Sequence, residues 1–209
     1  KHVLQANPQH CAEVGRALAR MHLATRERLI EHASDRGLAW MLTQGAVLAS
    51  QVTGPSLALL NDALKDAEAL QQAWARLPQA NLHADLFRDN VLFDGTHLSG
   101  IIDFYNACSG PMLYDVAIAL SDWCSAADGA LDNRRVRAML AAYATLRPFT
   151  QAAELHWPAL LRIACLRFWL SRLLAARVPD QPGVQIKAPE EFEQRLLLLK
   201  SPPNLPLAL

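Results

Sequence analysis

The sequence predicts a mainly α protein with one small β-hairpin set among its helices. Two observations carry that expectation. Apolar residues recur at helical spacing before residue 78 and again after residue 112, whereas short β-compatible runs are confined to residues 80 to 104. Breakers such as Thr53-Gly54-Pro55, Pro78 and Gly110-Pro111 stand between the segments.

Taken in order, Asn7 reads as an N-cap and Pro8 as the first residue of a long amphipathic helix. Val14, Leu18, Met21 and Leu29 mark its apolar face across CAEVGRALARMHLATRERLIEH, and His22 near its end reads as a packing or capping residue. Residues 38 to 50 and 56 to 77 are helical in composition. From residue 80, NLHAD, NVLF and LSGIIDF read as strand-like, with Asp94-Gly95 as the turn of a hairpin. Helices resume at about 113 to 125, 133 to 146, 150 to 177 and 189 to 200, and the closing SPPNLPLAL reads as an extended proline-broken tail. No internal repeat is evident.

A chain of 209 residues with 52% apolar content fits one globular domain. Its 20 basic and 20 acidic residues balance, so no global field favours nucleic acid or an anionic membrane. No apolar run reaches the roughly 18 to 20 residues of a membrane span. Cys11, Cys108, Cys124 and Cys165 are scattered without a CxxC pair, which reads as buried or incidental thiols in a reducing compartment and a cytoplasmic setting.

The chemistry concentrates in NLHADLFRDNVLFDGTHLSGIIDF. His83, Asp85 and Asn90 form H-x-D-x-x-x-x-N, and Asp103 lies at the end of the next apolar run. Composition alone would produce the three-residue pattern in about one such chain in a hundred. Two acids and an amide on adjacent loops suit phosphoryl transfer. One carboxylate, Asp85, orients or takes the acceptor's hydroxyl proton, and Asn90 and Asp103 supply oxygens to Mg²⁺ bound against nucleotide phosphates. The remaining acids, Asp89 and Asp94, read as turn residues, and His83 as a brace of the loop rather than an acid or base.

His83-Ala84-Asp85, Asn90 and Ile101-Ile102-Asp103-Phe104 resemble the catalytic loop and metal-binding segment of the aminoglycoside phosphotransferase and choline kinase superfamily, relatives of protein kinases. Pro111-Met112-Leu113-Tyr114-Asp115-Val116-Ala117 extends the match. By that resemblance Asp115 braces the catalytic loop through its backbone amides, although an N-cap role would also suit it. The segment from His83 to Leu120, with Arg167-Phe168-Trp169-Leu170-Ser171-Arg172 and Lys187-Ala188-Pro189-Glu190-Glu191-Phe192, is similar to the bacterial homoserine kinases of this type. Ala84 in place of the glycine frequent in aminoglycoside enzymes fits that branch, whereas Ala188 stands where an acid is commoner.

The resemblance implies a protein-kinase-like C-terminal lobe over residues 1 to 200, with a proline-rich tail over 201 to 209. It implies ATP and Mg²⁺ as cofactors and phosphorylation of a small-molecule hydroxyl, that of L-homoserine in threonine biosynthesis. A choline- or aminoglycoside-type acceptor, or a non-catalytic module derived from such a lobe, stands as the alternative. The N-terminal β lobe of such kinases, with its phosphate-covering loop and lysine, has no counterpart here. The expectation is weak or absent turnover by these residues alone, and self-association through the face that lobe would cover. For the acceptor, the candidate binding residues are Arg88, Asp122, Trp123, Arg167, Trp169 and Arg172, with Arg88 or Arg167 on its carboxylate.

Overall fold

The structure, a computed structural model, describes residues 1–177, 187–200 and 207. Seven α-helices and four short strands appear among the described residues. They are α1 (Pro8–Ala24), α2 (Leu38–Ala49), α3 (Gly54–Trp74), β1 (Gln79–Leu82), β2 (Val91–Asp94), β3 (His97–Ile101), β4 (Cys108–Pro111), α4 (Met112–Trp123), α5 (Asn133–Ala144), α6 (Gln151–Ala175) and α7 (Glu190–Leu198). The mainly α reading therefore holds, and each expected helix is present. The tail lies outside the described residues except for Leu207, which is buried.

Helix α1 starts where the sequence places it. Asn7 Oδ1 accepts from the His10 amide at 2.9 Å while His10 Nδ1 accepts from the Asn7 amide at 3.3 Å, closing a reciprocal cap. It ends at Ala24, short of the expected helix through residue 32. The reason is tertiary: the Asn81 side chain of β1 accepts from the Ile30 amide at 2.9 Å and donates to the Arg28 carbonyl at 3.0 Å. Those backbone groups find partners on a strand, so Leu29 lies in a loop, partly exposed, instead of on a helical face.

Every residue of α4 is buried. It is the central helix, packed against α6, which also meets α3 and α7. Helix α1 lies close against α5 because Gly15 has no side chain: a Cβ there would press into the Met139 carbonyl. Among the described residues no helix is long and apolar enough to cross a membrane.

The strands nest. Strands β1 and β4 pair antiparallel, Gln79 opposite Pro111 and Leu82 opposite Cys108, and enclose the antiparallel hairpin of β2 and β3. The hairpin turns at Asp94-Gly95, with Gly95 at φ +57. Sequence patterning missed β4, whose CSGP has little strand propensity. The nest has a topological consequence: the segment between β1 and β2 and the segment between β3 and β4 leave the same end of the two ribbons.

Candidate active site

The first of those segments, residues 83 to 90, is pinned from below by α4. Asp115 is not an N-cap; it lies one turn inside α4, fully buried, with Pro111 at the cap position. Its Oδ2 accepts from the His83 amide and its Oδ1 from the Ala84 amide, each at 2.8 Å. His22, buried at the end of α1, donates from Nε2 to Asp115 Oδ2 at 3.1 Å, and its Nδ1 stands 2.8 Å from the Tyr143 hydroxyl of α5. Burial works to raise the Asp115 carboxyl, but the His22 ring and the His83 amide outweigh it and hold the carboxyl below its ordinary value. His22 is thus a buried bridge between three helices, a role larger than packing or capping.

Above this brace the loop takes a backbone course that a side chain rarely adopts. Ala84 has φ +61, and its carbonyl accepts from the Arg167 guanidinium of α6. Held at both its amide and its carbonyl, Ala84 presents the next residue, Asp85, at the surface of the site. Asp85 Oδ2 accepts from Asn106 Nδ2 at 3.3 Å, and Asn106 Oδ1 lies 3.5 Å from Arg167 Nη2. Burial pushes the Asp85 carboxyl above its ordinary value; Arg167 and His83 pull against that, while Asp89 and Asp103 add to it.

Two bonds at Ile102 join the second segment to the first, and a third ties the first segment to itself. The Ile102 amide donates to the Asn90 carbonyl at 3.0 Å, His83 Nε2 donates to the Ile102 carbonyl at 2.9 Å, and Asn90 Nδ2 donates to the Asp85 carbonyl at 2.8 Å. These place Asn90 just before β2 and Asp103 just after β3, at the same end of the hairpin. Asp103 has φ +62, a left-handed conformation that Asp tolerates, and its carboxylate is exposed and, among the described residues, engaged only with the Tyr105 amide at 3.4 Å. Oxygen donors of this kind suit a hard divalent cation. Among the described residues no group of three or more His, Cys, Asp or Glu could enclose a metal. A cation at Asn90 and Asp103 would therefore take its remaining oxygens from water and a ligand.

The candidate acceptor residues divide. Arg88 donates from its amide and Nε to Asp122 Oδ2 (2.8 and 3.0 Å), from Nη2 to Asp122 Oδ1 (3.1 Å) and from Nη1 to the Leu4 carbonyl (2.8 Å). That guanidinium latches the loop to α4. Arg172 donates from Nη1 to Glu191 Oε2 at 2.5 Å and to the Ala188 carbonyl at 2.8 Å. Arg88, Asp122 and Arg172, with Asp89, Lys187 and Glu191, line a cavity of about 320 Å³ beside the catalytic loop, in which Lys187 Nζ and Asp89 Oδ2 are 2.7 Å apart. Arg167, Trp123 and Trp169 do not reach it. Each is almost wholly buried; Trp123 donates its indole N–H to the Leu86 carbonyl at 2.9 Å and Arg167 donates to the Ala84 carbonyl, so these two support the loop from within, and Trp169 is a core residue of α6.

Sequence reading missed Asn106, Lys187 and the bridging role of His22. Asn106 carried a signal, a second amide three residues past Asp103; the other two act across the fold and leave no local pattern. The four cysteines are free and buried, and burial pushes Cys108 up to about 11 and Cys165 to about 12, so these two thiols stay protonated.

Residues 2–149 match the family model described as the phosphotransferase enzyme family. The chain is 60% identical over 196 residues to a homoserine kinase of Pseudomonas aeruginosa, covering 94% of this chain and 62% of that protein. It is 44% identical to a homoserine kinase of Methylobacillus flagellatus over 90% of this chain and 59% of that one. The chain thus spans about three fifths of the length of the curated relatives it matches. Among solved structures, a choline/ethanolamine kinase family protein from Mesorhizobium loti superposes with TM-score 0.68 at 20% identity, over 93% of this chain and 62% of that one. An ethanolamine kinase of Plasmodium vivax gives TM-score 0.60 at 15% identity over 92% and 59%, so the fold is that of these kinases. With residues 2–149 matched by that model, the chain belongs to the phosphotransferase enzyme family.

Proposed function

We propose that the complete gene product transfers phosphate from ATP to the hydroxyl of L-homoserine, giving O-phospho-L-homoserine and ADP in the cytoplasm. The observation that carries this reading is the 60% identity to a homoserine kinase over 94% of the chain. The geometry supports the same chemistry independently of the acceptor.

Asp85 accepts the hydroxyl proton of homoserine as the oxygen forms its bond to the γ-phosphorus and the bond to the β–γ bridging oxygen breaks, releasing ADP. Asn106 holds the Asp85 carboxylate, Arg167 holds Asn106 and the Ala84 carbonyl, and the buried His22–Asp115 pair fixes the loop that carries them. Asn90 and Asp103 would hold Mg²⁺, which when bound would draw charge from the phosphate oxygens. The acceptor's carboxylate and ammonium are matched in the cavity beside the loop by the half-exposed pair of Lys187 and Asp89. Arg88 and Arg167, engaged elsewhere in the protein, shape the site without taking the carboxylate.

An acceptor comparison tests this. With ATP and magnesium, the complete gene product should phosphorylate L-homoserine far faster than choline or kanamycin. Rapid transfer to either of these with homoserine ignored would refute the acceptor, and ATP hydrolysis with no phosphorylated acceptor would refute the transferase.

A further inference from the structure

Seven ionisable side chains line the cavity of about 320 Å³ beside the catalytic loop, and six of them stand in three pairs that are not alike. The seventh, His2, is exposed. In the first pair all three guanidinium nitrogens of Arg88 donate, Nε and Nη2 to the Asp122 carboxylate and Nη1 to the Leu4 carbonyl. In the second, Arg172 donates to Glu191 and to the Ala188 carbonyl, and its Cζ lies 4.5 Å over the Phe192 ring. Burial works to raise the Glu191 carboxyl, but Arg172 and Arg195 outweigh it and hold it below its ordinary value. Opening either pair would leave a side chain only 11% exposed, Asp122 or Arg172, charged and without its partner, which is strongly destabilising.

The third pair differs. Lys187 and Asp89 are 55% and 56% exposed and meet through one bond of 2.7 Å. An exposed pair of this kind adds little to stability and opens readily to a ligand. Among the described residues neither side chain has another partner, so two ammonium protons and one carboxylate oxygen remain for that ligand. The two come from separate elements, Asp89 from the catalytic loop next to Asn90 and Lys187 from the segment that opens α7.

We propose that Lys187 and Asp89 determine which acceptor is used: they form a resident ion pair that gives way to a ligand carrying both charges, so the site takes an amino-acid alcohol as its zwitterion and discriminates against alcohols with a single charge. The proposal rests on the acceptor reading above. Selection follows from the exchange. A zwitterion between the two side chains replaces one ion pair by two, its carboxylate on Lys187 and its ammonium on Asp89. An alcohol bearing only an ammonium exchanges one pair for one and strands Lys187, and one bearing only a carboxylate strands Asp89. The other cations of the cavity cannot stand in, because Arg88 and Arg172 are held by their own acids.

Three acceptors that share one hydroxyalkyl chain test this with the complete gene product, ATP and magnesium: L-homoserine, 3-aminopropan-1-ol, which lacks the carboxylate, and 4-hydroxybutanoate, which lacks the ammonium. The wild type should use L-homoserine with kcat/KM about a hundredfold or more above either analogue. Lys187→Met should lower kcat/KM for L-homoserine about tenfold or more, chiefly through KM, and for 3-aminopropan-1-ol by less than about twofold. Asp89→Asn should act likewise, with 4-hydroxybutanoate the spared analogue. A merely structural role would depress all three acceptors alike and leave the ratios unchanged. Unchanged ratios in either variant, or a wild type that uses an analogue as well as L-homoserine, overturn the pair as the determinant while leaving L-homoserine as the acceptor. A wild type that ignores L-homoserine overturns the acceptor reading and this proposal with it. If one variant fails to fold, the other decides by the same ratio.

Discussion

At Asp85 burial, helped by Asp89 and Asp103, outweighs the pull of Arg167 and His83, so folding moves the carboxyl above its ordinary value. A raised carboxyl contributes stability below its ordinary value and loses it as pH rises through the raised one. Ionised at neutral pH, Asp85 is therefore a strained group kept for chemistry. Asp85→Asn should melt no lower than the wild type at pH 7, and any advantage should vanish as the pH falls below the ordinary carboxylate range; thermal melts across that range measure it. Asp115 has the opposite sign. Its depressed carboxyl contributes stability that is complete above the ordinary carboxylate value and lost as pH falls through the depressed one. Asp115→Ala leaves His22 and two loop amides unmet in the core, and denaturant unfolding should show a loss of about 3 kcal/mol. The residues of H-x-D-x-x-x-x-N were legible because they lie within eight positions of one another. The His22–Asp115 pair spans 93 positions, and only packing brings it together.

Among the elements, the nested ribbons explain why Asp85 and Asp103 converge. The hairpin of β2 and β3 was legible from Asp94-Gly95 and the apolar runs beside it. Strand β4 was not, because Gly110 and Pro111 are poor strand formers and the pairing with β1 is supplied from about thirty residues away. Helix starts at Asn7, Asp132 and Thr150 hold where side-chain caps form, each accepting from an amide two or three residues on. The end of α1 was misjudged because Asn81 draws residues 28 and 30 to β1, a tertiary override of a helical sequence. The close contact of α1 and α5 makes its own prediction. Gly15→Ala forces a methyl against the Met139 carbonyl, and the helices must separate. A loss of about 1 to 3 kcal/mol is expected in equilibrium unfolding, and unchanged stability would show that the contact is looser than described.

Across the whole molecule, 20 basic and 20 acidic residues leave no net field, so charged ligands are met by local clusters. One such cluster opens beside the catalytic loop at Lys187 and Asp89. Fold class and the phosphotransferase family were legible because the catalytic segment is continuous in sequence. The cavity proposed for the acceptor was not, since it is assembled from the N-terminal residues, the loop before β2, α4, α6 and the segment that opens α7. The most direct test of the account is the rate at which the complete gene product transfers phosphate from ATP to L-homoserine, compared with its Asp85→Asn variant at saturating substrates. Removal of the proton acceptor should lower kcat by about a hundredfold or more while ATP still binds. A variant that retains the wild-type rate within a few-fold would contradict the role of Asp85, and with it the reading of the site.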